Sequence, residues 1–198
     1  KIKFMSSMFE DSLFNGDIGD WDVSGVEIFS SMFEDSSFNS DISKWNTIGA
    51  IRMDCMFRRS LFNQPIGDWN VENVRDMQSM FSRSKFNSDI SNWNVSKVGD
   101  MSYMFESSQF NQNISDWDVR NVRDMSRMFS GAMFDHDISQ WNVKNLIRAN
   151  EIFGAGSKFN HNLFIWTTKC SDNINLSELI PERLLVRLPI NLWIEYDN

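Results

Sequence analysis

The sequence predicts an α/β repeat solenoid in which each coil of 24 residues contains one short parallel β-strand and one short helix. Three kinds of motif recur at this interval: a tryptophan, a Met-Phe pair and a Phe-Asn pair. Self-similarity at a fixed period of roughly 20 to 50 residues is typical of solenoids, propellers and other arrays. The tryptophans in register are Trp21, Trp45, Trp69, Trp93, Trp117 and Trp141, and Trp166 follows after one extra residue.

The strand of each coil is predicted around its tryptophan. In the third repeat, Trp69 and Val71 fall on one side of the chain and Asn70 on the other. This is the alternation that an extended strand produces, since successive side chains point to opposite faces.

A helix of one to two turns is predicted to follow the strand. Asp76 is placed to cap its N-terminus, because an aspartate side chain accepts hydrogen bonds from the free backbone N–H groups there. Four of the residues that follow have helical spacing and form one inward face. This face consists of Met77, Met80, Phe81 and Ser84. A polar turn beginning at Phe86 then returns the chain to the next strand.

A single coil is not stable alone, because its apolar side chains bury too little surface to offset the entropy of ordering 24 residues. About seven coils, the first one truncated, are therefore expected to stack over residues 1–169 around one column of tryptophans. Trp93→Ala in a central coil is predicted to cost about 3–5 kcal/mol, and Trp166→Ala in the irregular last coil less. The repeat pattern stops at Cys170, and residues 170–198 are predicted to form a C-terminal cap.

The charge of the chain disfavours two classes of partner. With 19 Lys and Arg against 27 Asp and Glu, the net charge is −8 at pH 7, so a general attraction to nucleic acids and anionic membranes is absent. We expect no nucleic-acid partner; the features that favour one are Arg75, Arg83, Arg123 and Arg127. No membrane-spanning run or signal peptide is visible. The chain opens partway through a repeat without Met, and we interpret it as an excised piece of a longer protein.

The motif Ile-x-x-Trp-x-Val resembles the strand signature of leucine-rich repeats, with Trp and Val in two of the leucine positions. It is more similar still to the repeat of BspA-like surface proteins in its bacterial-lipoprotein form. The elements of that repeat are present here as Met80-Phe81, Phe86-Asn87, Ile90-Ser91, Trp93-Asn94-Val95 and Met101. The likeness covers residues 2–168. Valine replaces the turn asparagine of leucine-rich repeats, so the Phe-Asn corner is the alternative place for an asparagine ladder.

This resemblance implies a leucine-rich-repeat-like fold and a module for adhesion or protein binding, located outside the cell or on its surface. It implies no catalytic residues. The sequence also contains no Gly-rich phosphate loop after a strand and no nucleophile paired with a histidine. We therefore expect a protein that is not an enzyme and needs no cofactor.

Two patterns suggest a metal, and each has a structural alternative. His136 and His161 occupy the same corner of adjacent coils, but other coils carry Gly, Ser or Gln there. The recurring Asn-x-Asp corner, as at Asn87 and Asp89, offers oxygens that suit calcium. The same residue types commonly satisfy backbone groups in tight turns. We expect the structural role in both places, and no metal.

Binding is predicted on the outward side of the strands, where two rows of variable side chains flank a nearly uniform row of Asn and Asp. Variable residues on a fixed repeat scaffold are how such proteins achieve specificity. The candidate binding residues are Lys44, Asp68, Glu72, Asn92, Ser96, Asp116, Arg120, Gln140 and Lys144.

Two functions are compatible with these features. The first is a surface-displayed module that binds a protein or glycan partner, with no direct insertion into a membrane. The second is a structural component of a large assembly, such as a virion or an envelope complex, in which the array is a rigid spacer. A signal peptide or lipidated cysteine upstream of Lys1 would favour the first, and its absence the second.

Overall fold

The computed structural model describes residues 2–169 together with Pro181 and Leu184. The chain forms a stack of coils, each of which starts at a residue that makes an isolated parallel bridge to its equivalent in a neighbouring coil. Coils 1 to 7 begin at Phe4, Ile28, Arg52, Asp76, Asp100, Asp124 and Arg148. The predicted cap, residues 170–198, lies outside the described residues except for Pro181 and Leu184. Leu184 is buried, and its carbonyl accepts a hydrogen bond of 2.7 Å from the N–H of Leu163.

The prediction of an α/β solenoid with one strand and one helix per coil is wrong. The described residues contain a single helix, α1 (Trp166–Lys169), and no strand longer than the isolated bridges. Around Trp69 the chain makes two turns instead of the predicted strand. The N–H of Trp69 donates to the carbonyl of Ile66 over 3.1 Å, and that of Val74 donates to Val71 over 2.9 Å. Turns this closely spaced do not leave room for a strand. No described helix has the length and apolar character needed to cross a membrane.

The segment predicted as a helix is a series of turns bonded to the next coil. In coil 4, every second N–H donates to a carbonyl of coil 5; the donors are Met77, Ser79, Phe81 and Arg83. The N–H groups of Met80, Ser82 and Ser84 donate three residues back, as from Met80 to Met77, whereas that of Gln78 donates to the side chain of Asp76. Ser79 and Arg83 have left-handed backbones, with φ of 56° and 58°. A left-handed residue at every fourth position interrupts the i to i−4 bonding of a helix.

The same two positions of coils 1 to 5 hold left-handed residues that are not glycine. Each costs about 1–2 kcal/mol relative to a right-handed conformation. The hydrogen bonds between coils offset this cost, because a buried backbone N–H without a partner costs a similar amount. The backbone path therefore depends on stacking and not on local preference.

The core consists of columns of equivalent side chains, and the predicted tryptophan column is confirmed from Trp45 onward. The ring centroids of Trp45 and Trp69 are 6.1 Å apart, and those of Trp141 and Trp166 are 6.4 Å apart. From coil 2 onward, each indole N–H also donates to an Ile carbonyl of the preceding coil. A parallel column of phenylalanines includes Phe57 and Phe81, whose centroids are 5.8 Å apart.

An asparagine ladder runs through the Phe-Asn corner, the alternative place for it in the sequence. The backbone N–H of Asn111 donates to the Oδ1 of Asn87, and the N–H of Asn87 donates to the Oδ1 of Asn63, both over 2.7 Å. Asp135 continues the ladder, since its Oδ1 accepts from the N–H of Asn160 over 2.9 Å. The ladder connects each coil to the next along one corner of the stack.

Candidate functional site

The nine predicted binding residues lie on two rows of turn residues beside the tryptophan column. The first turn row contains Lys44, Asp68, Asn92, Asp116 and Gln140, and the second turn row contains Glu72, Ser96, Arg120 and Lys144. Glu72 and Ser96 are half-buried and the other seven are exposed. These residues are therefore carried by turns and not by strands, and their role in binding stays a prediction.

Between the two turn rows lies a third row, of Asn and Asp residues, whose side chains stabilise the turns of the second turn row. The side chain of Asn70 accepts a hydrogen bond of 3.0 Å from the N–H of Glu72. Asn46, Asn94, Asp118 and Asn142 make the equivalent bond in their coils. An Asn or Asp side chain that accepts from the N–H two residues later stabilises a turn locally. The near-uniform residues at this place thus hold the variable ones in position.

A groove of about 920 Å³ lies next to the second turn row, along coils 3 to 7. Lys144 is the one predicted binding residue in its lining. The groove contains five cationic side chains and three carboxylates. The cations are Arg75, Lys97, Arg123, Lys144 and Arg148, and the carboxylates are Asp76, Asp100 and Asp124.

Five residues form a row that we call the arginine row: Ile51, Arg75, Gly99, Arg123 and Ile147. The last four of them line one wall of this groove. The N–H of each later member donates to the carbonyl of the member before it, over 2.8 or 2.9 Å. This unbroken series of hydrogen bonds fixes the spacing between coils near that of parallel strands, about 4.8 Å. Beyond Arg75 the row continues into a second groove of about 570 Å³, which Ile51 and Arg75 line.

Within the part of the chain that the structure describes, the arginines of this row have no anionic partner of their own. Among residues 2–169, the exposed side chains of Arg75 and Arg123 form no hydrogen bond and no ion pair. Two of the carboxylates are paired: Asp76 with Arg52 over 3.1 Å, and Asp124 with Arg148. Lys97 and Lys144 also form no ion pair in the described part of the chain, so the positive charge that remains available in the groove lies on the two arginines of this row and on these two lysines.

The carboxylates of the groove differ although they occupy the same place in the repeat. Burial raises the pKa of Asp76, and the neighbouring carboxylates of Asp54 and Asp100 add to the rise. Burial also favours a higher pKa for Asp124, but hydrogen bonds from Ser126 and Arg148 outweigh the effect of burial, and the pKa of Asp124 is lowered. The neighbouring coils, and not the position in the repeat, determine these properties.

Comparison with protein families identifies the repeat. The family described as Mycoplasma protein of unknown function, DUF285, matches residues 1–88 and again residues 82–179. The chain belongs to this DUF285 family. No curated protein and no solved structure matches the chain. The similarity to BspA-like surface proteins and their leucine-rich repeats stays a resemblance of motifs.

The two histidines of this DUF285 chain are used in contacts between coils. The Nε2 of His136 lies 2.9 Å from the carbonyl oxygen of Asn111, and that of His161 lies 3.1 Å from the carbonyl oxygen of Asp135. Within the described part of the chain, no group of three or more His, Cys, Asp or Glu side chains is arranged to hold a metal ion.

The Asn-x-Asp corner stabilises its own turn. In coil 4, the Oδ1 of Asp89 accepts a hydrogen bond of 2.9 Å from the N–H of Ser91. Asp41, Asn113 and Asp137 make the equivalent bond. The asparagine of the same corner belongs to the asparagine ladder. The structural interpretation of this motif thus accounts for both of its residues.

The groove is not predicted by the sequence as a binding site. Arg75 and Arg123 appear there only among the features that favour nucleic-acid binding. The available signal was their register, since the two arginines occupy the same position of the DUF285 repeat, with a glycine at that position in the coil between them.

Proposed function

We propose that this DUF285 chain is a non-enzymatic binding module, displayed outside the cell or on its surface, that recognises a protein or glycan through the two turn rows and the adjoining groove. The observation that supports this proposal is the contrast between backbone and side chains. The backbone repeats with the same hydrogen bonds in successive coils, whereas the side chains of the turn rows change charge and size from one coil to the next.

A surface of this kind binds at a low entropic cost. Turns fixed by Asn and Asp side chains, and coils joined by backbone ladders, hold the variable residues in place before any partner arrives. Ordering of loops and side chains is a major cost of association, and preorganisation reduces it.

The charge of the groove favours a partner with anionic groups. Arg75, Arg123 and Lys144 are exposed, and none forms a side-chain ion pair among residues 2–169. Complementary charge raises the encounter rate and selects among partners more than it adds affinity.

The proposal is tested by presenting the folded chain to two defined probe sets, a displayed random-peptide library and an array of glycans. The double variant Arg120→Glu with Lys144→Glu is expected to lose binding to acidic members of either set. Arg120 pairs with Asp118 at an exposed site, and exposed pairs contribute little to stability. We therefore expect the melting of the variant to change by no more than about 0.5 kcal/mol in free energy of unfolding.

The matched control is Lys85→Glu with Lys158→Glu, which also reverses two charges. Both lysines are exposed, and neither lines the groove. Arg58 and Arg59 are unsuitable controls, because Arg58 pairs with the buried Glu34 and its reversal would place two carboxylates together. Binding to neither probe set, or loss of binding in the control pair alone, would contradict the proposal and favour a structural component of a large assembly.

A further inference from the structure

The glycine in the middle of the arginine row is not required by the fold. A Cβ atom built on Gly99 has no neighbour closer than the carbonyl oxygen of Arg75, at 3.8 Å, which is an ordinary contact. In contrast, a Cβ on Gly67 would lie 2.7 Å from the carbonyl oxygen of Asp89, and one on Gly49 would lie 2.8 Å from that of Ser24. Packing explains those two glycines but leaves Gly99 unexplained.

The effect of Gly99 is to keep an open gap between Arg75 and Arg123. On the outer side of each arginine, the row continues with an exposed isoleucine: Ile51 is 38% exposed and Ile147 is 57% exposed. The surface therefore presents an apolar side chain, a cation, a gap, a second cation and a second apolar side chain, in that order along the stack.

The spacing of this pattern matches an extended peptide. With about 4.8 Å per coil, Arg75, Arg123 and Ile147 lie roughly 5, 14 and 19 Å from Ile51. Along an extended chain, alternate side chains share one face and are about 6.7 Å apart, so the third, fifth and seventh lie roughly 7, 13 and 20 Å from the first. The two series agree within about 2 Å.

We propose that the arginine row binds an extended segment of a partner protein that has apolar residues at its first and seventh positions and acidic residues at its third and fifth. This inference rests on the proposed binding function and specifies its ligand. The guanidinium groups of Arg75 and Arg123 match carboxylates with two parallel hydrogen bonds. The backbone of the segment passes over the gap at Gly99, between the two ion pairs.

The groove also excludes a continuous acidic run. Asp100 lines it near the centre, where its carboxylate accepts hydrogen bonds from the N–H and hydroxyl of Ser102 over 2.8 and 2.6 Å. A further negative charge beside Asp100 would be repelled. Two separated acidic side chains, flanked by apolar ones, fit this surface better than a uniformly charged polymer.

The test uses the whole chain and a fluorescent heptapeptide with leucine at positions one and seven, glutamate at three and five, and serine elsewhere. A second peptide has the same composition, with the glutamates moved to positions two and six. Fluorescence anisotropy is expected to show at least about tenfold tighter binding of the first peptide. Arg75→Gln and Arg123→Gln should each weaken it by a similar factor, and Lys85→Gln should leave it unchanged.

Gly99→Val tests the gap directly, because it fills the space without removing a charge. It is expected to abolish the preference for the first peptide, and a melting curve like that of the parent chain checks that the variant folds. If Gly99→Val does not fold, Gly99→Ser serves the same purpose with a smaller side chain.

Equal affinity for the two peptides, or full affinity in the arginine variants, would overturn the proposal. A heparin-derived oligosaccharide is the competing probe. If it binds through Arg75 and Arg123 while the first peptide does not, the groove recognises a sulfated glycan, and the proposed binding function stands without this peptide ligand. Absence of binding to every peptide and glycan would overturn both the proposed peptide ligand and the proposed binding function.

Discussion

Coil 1 and coil 4 have nearly the same apolar sequence but differ greatly in burial. In coil 4, Met80 and Phe86 are fully buried and Trp93 is 3% exposed. The equivalent residues of coil 1 are 45%, 37% and 39% exposed; these are Met8, Phe14 and Trp21. The difference comes from neighbours, since coil 4 is covered on both sides and coil 1 is covered only by coil 2 among the described residues. Burial in this molecule is therefore a property of the stack.

The hydrogen bonds show the same contrast. The N–H of Met77 in coil 4 donates to coil 5, and the carbonyl of Asp76 accepts from coil 3. In coil 1, the N–H of Met5 donates to coil 2 over 2.9 Å, but among the described residues no coil donates to the carbonyl of Phe4. The backbone of an inner coil is thus hydrogen-bonded to the coils on both sides at this position, whereas that of coil 1 is bonded to one coil among the described residues.

Tryptophan substitutions are expected to show this contrast most strongly. Trp93→Ala should cost about 3–5 kcal/mol, because it leaves a cavity in the column and removes the indole hydrogen bond to Ile66. Trp21→Ala, at a half-exposed position, should cost only about 1–2 kcal/mol. Denaturant melts of the two variants measure both values. Equal losses would show that the coils do not differ in the way their burial indicates.

Trp166 extends the comparison to coil 7, the last coil that the structure describes. The sequence predicts a small loss for Trp166→Ala, because its coil is irregular. The structure changes this expectation: Trp166 is fully buried, stacks on Trp141 and donates to the carbonyl of Ile138. We now expect a loss similar to that of Trp93→Ala. A melt in which Trp166→Ala resembles Trp21→Ala would support the original prediction instead.

Two glycines of inner coils should respond differently to alanine. Gly67→Ala should cost about 1–3 kcal/mol, because the new methyl group would collide with the carbonyl oxygen of Asp89 in the adjacent coil. Gly99→Ala should stay within about 0.5 kcal/mol of the parent chain. Thermal unfolding of the two variants, compared with the parent chain, measures both changes in stability. A large loss at Gly99 would mean that packing requires this glycine and would weaken the argument for a binding gap.

The asparagine ladder should matter more inside the stack than at coil 1. Asn87→Ala leaves the N–H of Asn111 without its acceptor and should cost about 1 kcal/mol. Asn15→Ala removes the equivalent acceptor of Asn39 at an exposed corner and should cost less. Asn87→Asp should retain most of the stability, since Asp135 fills this role in coil 6. Chemical denaturation of the three variants checks the order; equal losses for Asp and Ala would exclude an acceptor role.

The smallest expected effects depend on pH. The pKa of Asp76 is raised on folding, so its ionised form opposes folding. Asp76→Asn should therefore stabilise the chain at pH 7 by about 0.5 kcal/mol, and the gain should vanish as the pH falls through the raised pKa and below the ordinary value. The pKa of Asp124 is lowered, so Asp124→Asn should destabilise at pH 7. That loss should vanish only as the pH falls through the lowered pKa.

Urea melts of both variants between about pH 3 and pH 7 measure these effects. The two carboxylates occupy one position of the repeat, so the parent chain serves as the common reference. The same sign for both substitutions at pH 7 would show that their different neighbours, Asp54 beside one and Arg148 beside the other, do not control their ionisation.

The strand and helix could not be predicted correctly from periodicity, for a physical reason. Apolar spacing reports which side chains point inward, and the inward residues Met77, Met80 and Phe81 are indeed buried. A helix and a series of turns with left-handed residues place the same positions inward. The difference lies in whether the backbone bonds to itself or to the next coil, and hydrophobic spacing carries no information about that choice.

The groove was missed for a related reason. Arg75, Gly99 and Arg123 belong to three different coils; the two arginines are exposed, Gly99 is half-buried, and none of the three stands out in its own repeat. Their alignment becomes visible when the repeats are superimposed. That the two arginines lack an anionic partner among the described residues is visible only when the side chains of the neighbouring coils are in place. The nine predicted binding residues could be named from the sequence, because variation next to a tryptophan that recurs in every coil is visible there; their role in binding stays a prediction.

The sequence by itself determined the repeat period, the columns of Trp, Met and Phe, and the place of the asparagine ladder, because each depends on which residues recur in register. Tertiary structure alone decided the backbone path, the burial of each coil and the charge left free in the groove. These depend on hydrogen bonds and contacts between residues about 24 positions apart. Such contacts compete with the local bonds of a helix or a strand, and in this chain the contacts between coils are the stronger set.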